Sequence, residues 1–480
     1  MKLAAANSTS SRASVLIIVL WVAFGLVAIT LYFANAMSME LKAADNRVAS
    51  LEADQAIEGA ALYVSNILAN RANMMMIPTP DNFRADGVKV GEATFWLVGR
   101  DTNDLQTSAQ GEQPVWGLID EASKLNLNSA TAAELQNLPQ MTANTAAAIY
   151  DWQTGSNSSP STGGAKSETY SGLQPAYLCK SAPYESIDEL RLVYGLNMDL
   201  LYGEDANLNG ILDPNENDGM VTPPTDNSDG ILDPGVLEYV TVWSREPTLD
   251  TNGSARIAVN DISSLTSFLQ QSYPSLVSYL APFGGGAGAA GGAGTAAGGR
   301  AGAGTGAGAT RGGAASATAA AAPTSVLDFY IRSGMSESDF QQIEPFLMNT
   351  NLTGLINVNT ATATALACVP GIGLNQAPQV LAYRQSNPPQ TPSITWLKTA
   401  LGTTDPATIA QVGPYVTPYS FQFTADVVAL GHHNRGYRRV RFVFDCSSGT
   451  PLIVYRQDLT HLGWALGKKL HDQLLADNSK

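Results

Sequence analysis

The apolar positions of this chain change their spacing along its length. From Val15 to Phe33 almost every residue is aliphatic or aromatic, and no charged residue lies between Ala13 and Met39. As a helix this stretch is long enough to cross roughly 30 Å of hydrocarbon. Beyond it Leu41, Ala44, Val48 and Leu51, then Ile57, Ala61, Val64 and Leu68, recur at spacings of three and four, which predicts an amphipathic continuation. No proline intervenes before Pro78, so one helix from about Ser14 to Met75 is expected, on the order of 90 Å long at 1.5 Å per residue. The pattern then shortens to alternation. Ala93–Val98, Val115–Asp120, Phe421–Leu430, Tyr437–Asp445 and Leu452–Gln457 read as strands, with His433-Asn434-Arg435-Gly436 and Ser447-Ser448-Gly449 as turns. Leu459–Leu475 returns to helical spacing.

Between the strands lies an internal repeat. Asn126–Trp152 aligns without gaps to Asn357–Tyr383, with 9 of 27 positions identical. Each copy runs Asn-x-Asn into a hydroxyl residue able to cap a helix, then a helix, a tight turn and a second helix. The turn is Pro139-Gln140-Met141-Thr142 in the first copy and Pro370-Gly371-Ile372-Gly373 in the second. Arg256–Asp261, ahead of Leu265–Leu269, reads as a worn third start. Strands flank the helices on both sides, so the expected class is α+β: a long N-terminal helix packed on an antiparallel sheet, with a large inserted α-helical domain. The boundaries follow as 1–13, a leader; 14–78, the helix; 79–125, the first part of the sheet; 126–418, the insertion; and 419–480, the rest of the sheet and a C-terminal helix. Within the insertion, 283–322 is built of Gly and Ala and reads as a flexible tether, and Thr154–Ser171 as an unfolded polar loop.

Charge narrows the function. The formal net charge is −15 and only 14% of residues are charged, which disfavours a general polyanion binder. Lys2 and Arg12 precede the apolar segment, placing the N-terminus in the cytoplasm and the head outside. A cleaved secretory signal is the rival reading, since Ala34-Asn35-Ala36 offers a site, but such apolar regions run only about 7 to 15 residues. Cys179, Cys368 and Cys446 are too few and scattered for a disulfide framework or a zinc site. A Cys179–Cys368 pair is left open.

One motif carries chemistry. In Asp205-Ala-Asn207-Leu-Asn209-Gly210-Ile211-Leu-Asp213-Pro-Asn-Glu216 every ligand position of a twelve-residue calcium loop is filled. Asp205, Asn207, Asn209, Asp213 and Glu216 supply side-chain oxygens, Ile211 a carbonyl, and Gly210 the sharp turn. A second loop repeats the pattern with Asn227, Asp229, Gly230 and Asp233, but Val236 falls where glutamate belongs. It binds weakly, shares oxygens with the first ion, or is a turn. Outside the cell a structural Ca2+ is the expected ion. No catalytic constellation is present, and His432-His433 reads as a solvated pair. The chain is expected not to be an enzyme.

The basic leader before an apolar helix resembles the class cut by prepilin peptidase, which implies cleavage between Ala13 and Ser14. Ala13 stands where that family usually has glycine, and Ile18 where most pilin-like subunits carry glutamate. A carboxylate in hydrocarbon needs a partner, so an apolar residue there suits a subunit with nothing stacked above it. The repeats resemble the helix-hairpin-helix units of DNA-binding proteins, and a membrane-tethered competence-like DNA receptor is the alternative function. Yet no Lys or Arg occurs between Thr360 and Arg384, and the first copy lacks the glycines. Phosphate contact, the main source of affinity in such proteins, is not supplied, and no nucleic-acid partner is expected.

RASVLIIVLWV (Arg12–Val22), LIDEASKLNLNSA (Leu118–Ala130), YESIDELRLVYGL (Tyr184–Leu196) and GLINVNTA (Gly354–Ala361) together resemble the K-component family of the bacterial type II (general) secretion pathway, the large minor pseudopilins. That resemblance implies a pilin-like sheet enlarged by a helical insertion, calcium in the head, and single-pass anchoring in the inner membrane with the head periplasmic. It also implies a place at the pseudopilus tip beside the I and J components, where a head too bulky to repeat is tolerated, and a role in starting pseudopilus assembly for export across the outer membrane. N-terminal sequencing of the mature chain is expected to read from Ser14. A soluble chain starting at Met37 would overturn the continuous-rod reading.

Overall fold

A computed structural model describes residues 10–70, 75–100, 114–250, 252–284 and 321–478. Most of the leader and of the Gly/Ala-rich tether lie outside the described residues. Ala13 and Ser14 fall on a helical backbone, with their side chains outside the description.

Helix α1 runs Ser10–Ala69, stopping short of the expected Met75. Its first half exposes Leu16, Ile17, Trp21, Phe24 and Leu31 on all sides, and α1 is long and apolar enough to cross a membrane. Its second half buries Ala49, Ala53, Ala56, Ile57, Ala60, Ala61, Val64 and Leu68. The alanines bring the helix close to the sheet. At Gly431 and Gly436 a side chain would collide with the backbone of Ala49, so glycine is required for the turn to seat there.

Numbered along the chain, the strands are β1 (Val88–Val90), β2 (Ala93–Val98) and β3 (Ile119–Asp120), then six two-residue strands: β4 (Leu125–Asn126), β5 (Val240–Thr241), β6 (Ile257–Ala258), β7 (Leu347–Met348), β8 (Ile356–Asn357) and β9 (Val416–Thr417). Then follow β10 (Gln422–Leu430), β11 (Arg438–Asp445) and β12 (Leu452–Asp458). The main sheet is antiparallel in the order β1-β2-β10-β11-β12, with β3 also on β10. The expected strand at Val115–Asp120 is reduced to β3 plus a single bridge between Trp116 and Val98, because Gly117 turns the chain. The expected helix at Leu459–Leu475 starts only at Gly467 and runs to Asn478, since Gly463 and Gly467 both adopt positive φ.

Both copies of the repeat fold as a helix pair: Ala132–Leu135 with Ala143–Gln153, and Ala363–Ala367 with Gly373–Ser386. Thr131, Thr142 and Thr362 cap three of these helices through their side chains. The worn start at Arg256–Asp261 forms β6 and enters the helix Ile262–Ser272, capped by Asp261. Each start pairs in parallel with a strand that closes its unit: β4 with β5, β6 with β7, β8 with β9. Asn126 donates to the Ser244 carbonyl and hydroxyl, both at 3.1 Å, and Asn357 to the Ser420 hydroxyl at 2.7 Å. The Asn-x-Asn signature is therefore a clasp that shuts the β4/β5 and β8/β9 units; the β6/β7 unit has Ala258 in its place.

One expectation is corrected and one open pairing is decided. Thr154–Ser171 is organised, not unfolded: the Asp151 carboxylate accepts from the Ser161 hydroxyl at 2.7 Å, and Lys166 Nζ donates to the Asp151 and Thr154 carbonyls, each at 2.7 Å. Ser167–Ser171 is helical, with Tyr170 buried. Cys179, Cys368 and Cys446 are free and buried, so the Cys179–Cys368 pair is not formed.

Strand β10 is buried along its whole length. Phe423, Ala425, Val427 and Ala429 join the core against α1. On the other face, Gln422 accepts from the Arg245 N–H at 2.9 Å, Thr424 donates to Glu121 at 2.5 Å, and Asp426 pairs with Arg439 at 2.7 Å and with Arg441 at 2.9 Å. The insertion docks on this polar face.

At its margin the Asp120 carboxylate accepts from Asn357 at 3.2 Å and from the Thr360 and Ser420 hydroxyls. Burial pushes Asp120 up to about 6 from an ordinary 3.8, although these donors pull the other way. The folded chain thus holds this proton more tightly than the unfolded chain. The stabilisation is complete below about pH 4 and is lost as pH rises through about 6, a change on the order of 3 kcal/mol. Denaturant unfolding of wild type and Asp120→Asn between pH 4 and 7 should show the wild type losing ground to the variant by that order. A constant difference would sink the assignment.

Candidate functional site

The two Asx-rich loops lie side by side after the helix Met198–Tyr202. Their backbones are joined by Glu204 N–H to the Asp233 carbonyl and Gly235 N–H to the Tyr202 carbonyl, both 2.9 Å. In the first, Leu208 and Gly210 adopt φ of 54° and 73°. Asp205 accepts from the N–H of Asn209 and of Gly210, each at 2.9 Å, and Asn209 Oδ1 from Ile211 N–H at 2.8 Å. Asp213 accepts from the side-chain amides of Asn207 at 2.8 Å and Asn209 at 2.9 Å. Glu216 reaches back across the loop, accepting from Ala206 N–H at 2.9 Å, Asn207 N–H at 3.4 Å and Asp213 N–H at 3.0 Å.

The structure thus gathers Asp205, Asn207, Asn209, Asp213 and Glu216, with Ile211 buried beside them. Among the described residues no three His, Cys, Asp or Glu side chains converge as a ready-made metal site. Here the carboxylates instead receive N–H groups. Two features nevertheless fit a cation. Asn207 Oδ1 is buried without a hydrogen-bond partner, an acceptor whose desolvation is uncompensated. Burial, with the Asp205 charge adding to it, pushes Glu216 up to about 8, and burial raises Asp205 and Asp213 as well. These acids are short of positive charge.

The second loop follows the same plan. Ser228 and Gly230 adopt φ of 55° and 80°, matching Leu208 and Gly210. Asp229 Oδ1 accepts from Ile231 N–H at 2.8 Å, and Asn227 donates to Asp233 at 3.3 Å. The carboxylate missing at Val236 comes from outside the loop. Glu204 accepts from Asn227 N–H at 3.0 Å and Asp233 N–H at 3.1 Å, the loop positions that Glu216 bridges in the first. Asn217 accepts from Gly230 N–H at 3.2 Å, as Asp205 does from Gly210. The residues flanking the first loop therefore complete the second. Nothing in the twelve-residue spacing signals this, because both acceptors precede the loop they complete in sequence.

The first loop sits against the sheet. Arg100, just beyond β2, donates to the carbonyls of Leu208 at 2.6 Å and Asn209 at 3.3 Å, and pairs with Glu238 at 3.0 Å. Arg439 on β11 donates to the carbonyls of Asn207 and Leu208 while holding Asp426. Elsewhere, His432 is not simply solvated: its ring nitrogens meet Glu52 at 2.7 Å and Asp45 at 2.8 Å on α1, and these contacts raise its pKa.

Residues 121–202, running from the end of β3 to the helix before the loops, match the family model for type II secretion system (T2SS), protein K. Over that stretch the chain is similar to type II secretion protein K. Among solved structures it is similar to a crystal structure of the GspK-GspI-GspJ complex from the enterotoxigenic Escherichia coli type 2 secretion system, at 10% identity and a TM-score of 0.39, over 84% of this chain and 97% of that one. No curated protein matches the chain in sequence.

Glu204→Ala strands two backbone N–H groups in a part-buried site, which costs about 1–3 kcal/mol. Chemical denaturation in chelator should show that loss. Met220→Ala, at a side chain 88% exposed in the same segment, should change stability by less than about 0.5 kcal/mol.

Proposed function

We propose that this chain is a minor pseudopilin of the type II secretion pathway that caps the pseudopilus tip and helps start its assembly for export across the outer membrane. The observation that carries the reading is the joining of α1 to a sheet split by a bulky insertion. The helix buries its second half on the sheet and leaves its first half apolar and uncovered. The insertion enters after β3 and leaves before β10. A rod of this kind packs beside similar rods in a membrane, and the widened head clashes with any copy stacked above it. Position at the end of a fibre follows from shape. The membrane is the inner one, with the N-terminus cytoplasmic and the head periplasmic, consistent with Lys2 and Arg12 ahead of the span. The partners are the other minor pseudopilins, the I and J components; the similar solved structure is itself a complex of GspK with GspI and GspJ.

In the head, Ca2+ is held by Asp205, Asn207, Asn209, Asp213, Glu216 and the Ile211 carbonyl, with Asn227, Asp229 and Asp233 as a second loop. The ion supplies fixed positive charge to acids whose ionisation burial opposes. Its role is structural. The DNA-receptor reading is disfavoured by Arg384, the basic residue of the second helix pair, which turns inward to donate to the carbonyls of Val358 at 3.0 Å and Ala361 at 2.7 Å.

Mild detergent extraction of the tagged full-length chain should co-purify the I and J pseudopilins, and fusing a globular domain to either partner's cytoplasmic end should not abolish that. Recovery of the chain alone, with salt-dependent duplex DNA binding, would instead support the receptor.

A further inference from the structure

We propose that Arg100 and Arg439 are positioning residues for the cation loop, so that calcium binding and the seating of the helical insertion on the sheet form one coupled equilibrium. This rests on the calcium reading above and goes beyond it by assigning the loop a control over domain docking.

A loop that wraps a hard cation turns its side-chain oxygens inward. Carbonyls that face away then need donors of their own if they are buried. Three consecutive residues supply that outward set. The Asn207 carbonyl accepts from Arg439, the Leu208 carbonyl from Arg439 and Arg100, each at 2.6 Å, and the Asn209 carbonyl from Arg100 at 3.3 Å. The Asn207 amide also donates to the Trp464 carbonyl at 3.2 Å. The end of β2, the body of β11 and the segment before the last helix thus meet on one turn of the loop. Both guanidiniums are nearly withdrawn from solvent, with side-chain exposures of 8% and 0%. Each is anchored at its other edge: Arg439 to Asp426 on the central strand, Arg100 to Glu238 in the helix that follows the second loop.

The same residues serve both sides. Asn207 offers an unpartnered, buried Oδ1, while its carbonyl is gripped by the sheet. Leu208 holds φ at 54°, a left-handed torsion that a non-glycine residue keeps only where its surroundings offset the cost. Here the surroundings are the two guanidiniums on its carbonyl. Whatever fixes this turn for the ion also fixes it for the arginines. Coupling of this kind is reciprocal: if calcium tightens docking by some factor, the docking contacts tighten calcium by the same factor.

The test uses the full-length chain in detergent, stripped with chelator and titrated with CaCl2 by calorimetry, with hydrogen exchange measured before and after. Calcium should raise protection across 205–216 and also at 97–100, 439–441 and 464–466. Arg100→Met and Arg439→Met should each weaken calcium about tenfold, and Arg100→Lys should fall between Arg100→Met and wild type. Asp205→Asn should lower protection at the same sheet positions without chelator. If Arg439→Met fails to fold by far-UV circular dichroism, the Arg100 variants and the wild-type exchange comparison decide. Calcium affinities within twofold of wild type in folded arginine variants, or protection confined to the loop, would overturn the coupling while leaving the calcium reading intact. A wild-type chain that takes up no calcium would overturn both.

Discussion

A strand buried on both faces must satisfy two different neighbours, and β10 does so by splitting its residues. Its odd-numbered positions from Phe423 to Ala429 are apolar and meet the alanine face of α1. Gln422, Thr424 and Asp426 point the other way and are polar. An isolated polar side chain in that position would be costly. Each is instead met by a group from the insertion, from the turn after β3 or from β11: the Arg245 backbone, Glu121, and the arginine pair on Asp426. The fold depends on this two-sidedness, which lets one sheet carry the long α1 rod on its first face and a helical body on its second.

The ion pairs at that second face act in geometry more than in net energy. Burying Asp426 with Arg439 draws two charges out of water, and the attraction between them roughly offsets that cost. The nearby arginines hold the Asp426 carboxyl well below the usual carboxylate range despite its burial. Loss of either partner would leave a charge stranded, commonly a matter of 3–5 kcal/mol. Because Arg439 also reaches the loop carbonyls, the pair specifies where the insertion sits.

The insertion itself is built from three versions of one device. A two-residue strand leads into a capped helix, and a later two-residue strand returns beside it in parallel. Asn126 and Asn357 lock this return by bonding to Ser244 and Ser420. Such short parallel pairs are weak alone and are held by their own apolar residues, Leu125, Val240, Ile356 and Val416, which join the core of the insertion. This explains why Asn-x-Asn persists while the glycines of the turn do not: the clasp closes the unit, whereas the turn only reverses the chain.

Local pattern was enough to read the apolar rod, the strands on either side of the insertion, the capped helices and the tight bend of the first Asx-rich loop, because each depends on residues within a few turns of one another. Hydrophobic spacing, a hydroxyl at a helix start and an Asp or Asn every second residue act through short-range sterics and hydrogen bonding. Glu204 and Asn217 serving a loop that begins beyond them, Arg100 and Arg439 meeting on Leu208, Lys166 organising a polar stretch, and three thiols left apart were not legible in that way. Each is a juxtaposition of residues separated by tens to hundreds of positions. Chain proximity says nothing about such pairs until the sheet and the insertion have packed, and packing alone brings their donors within reach.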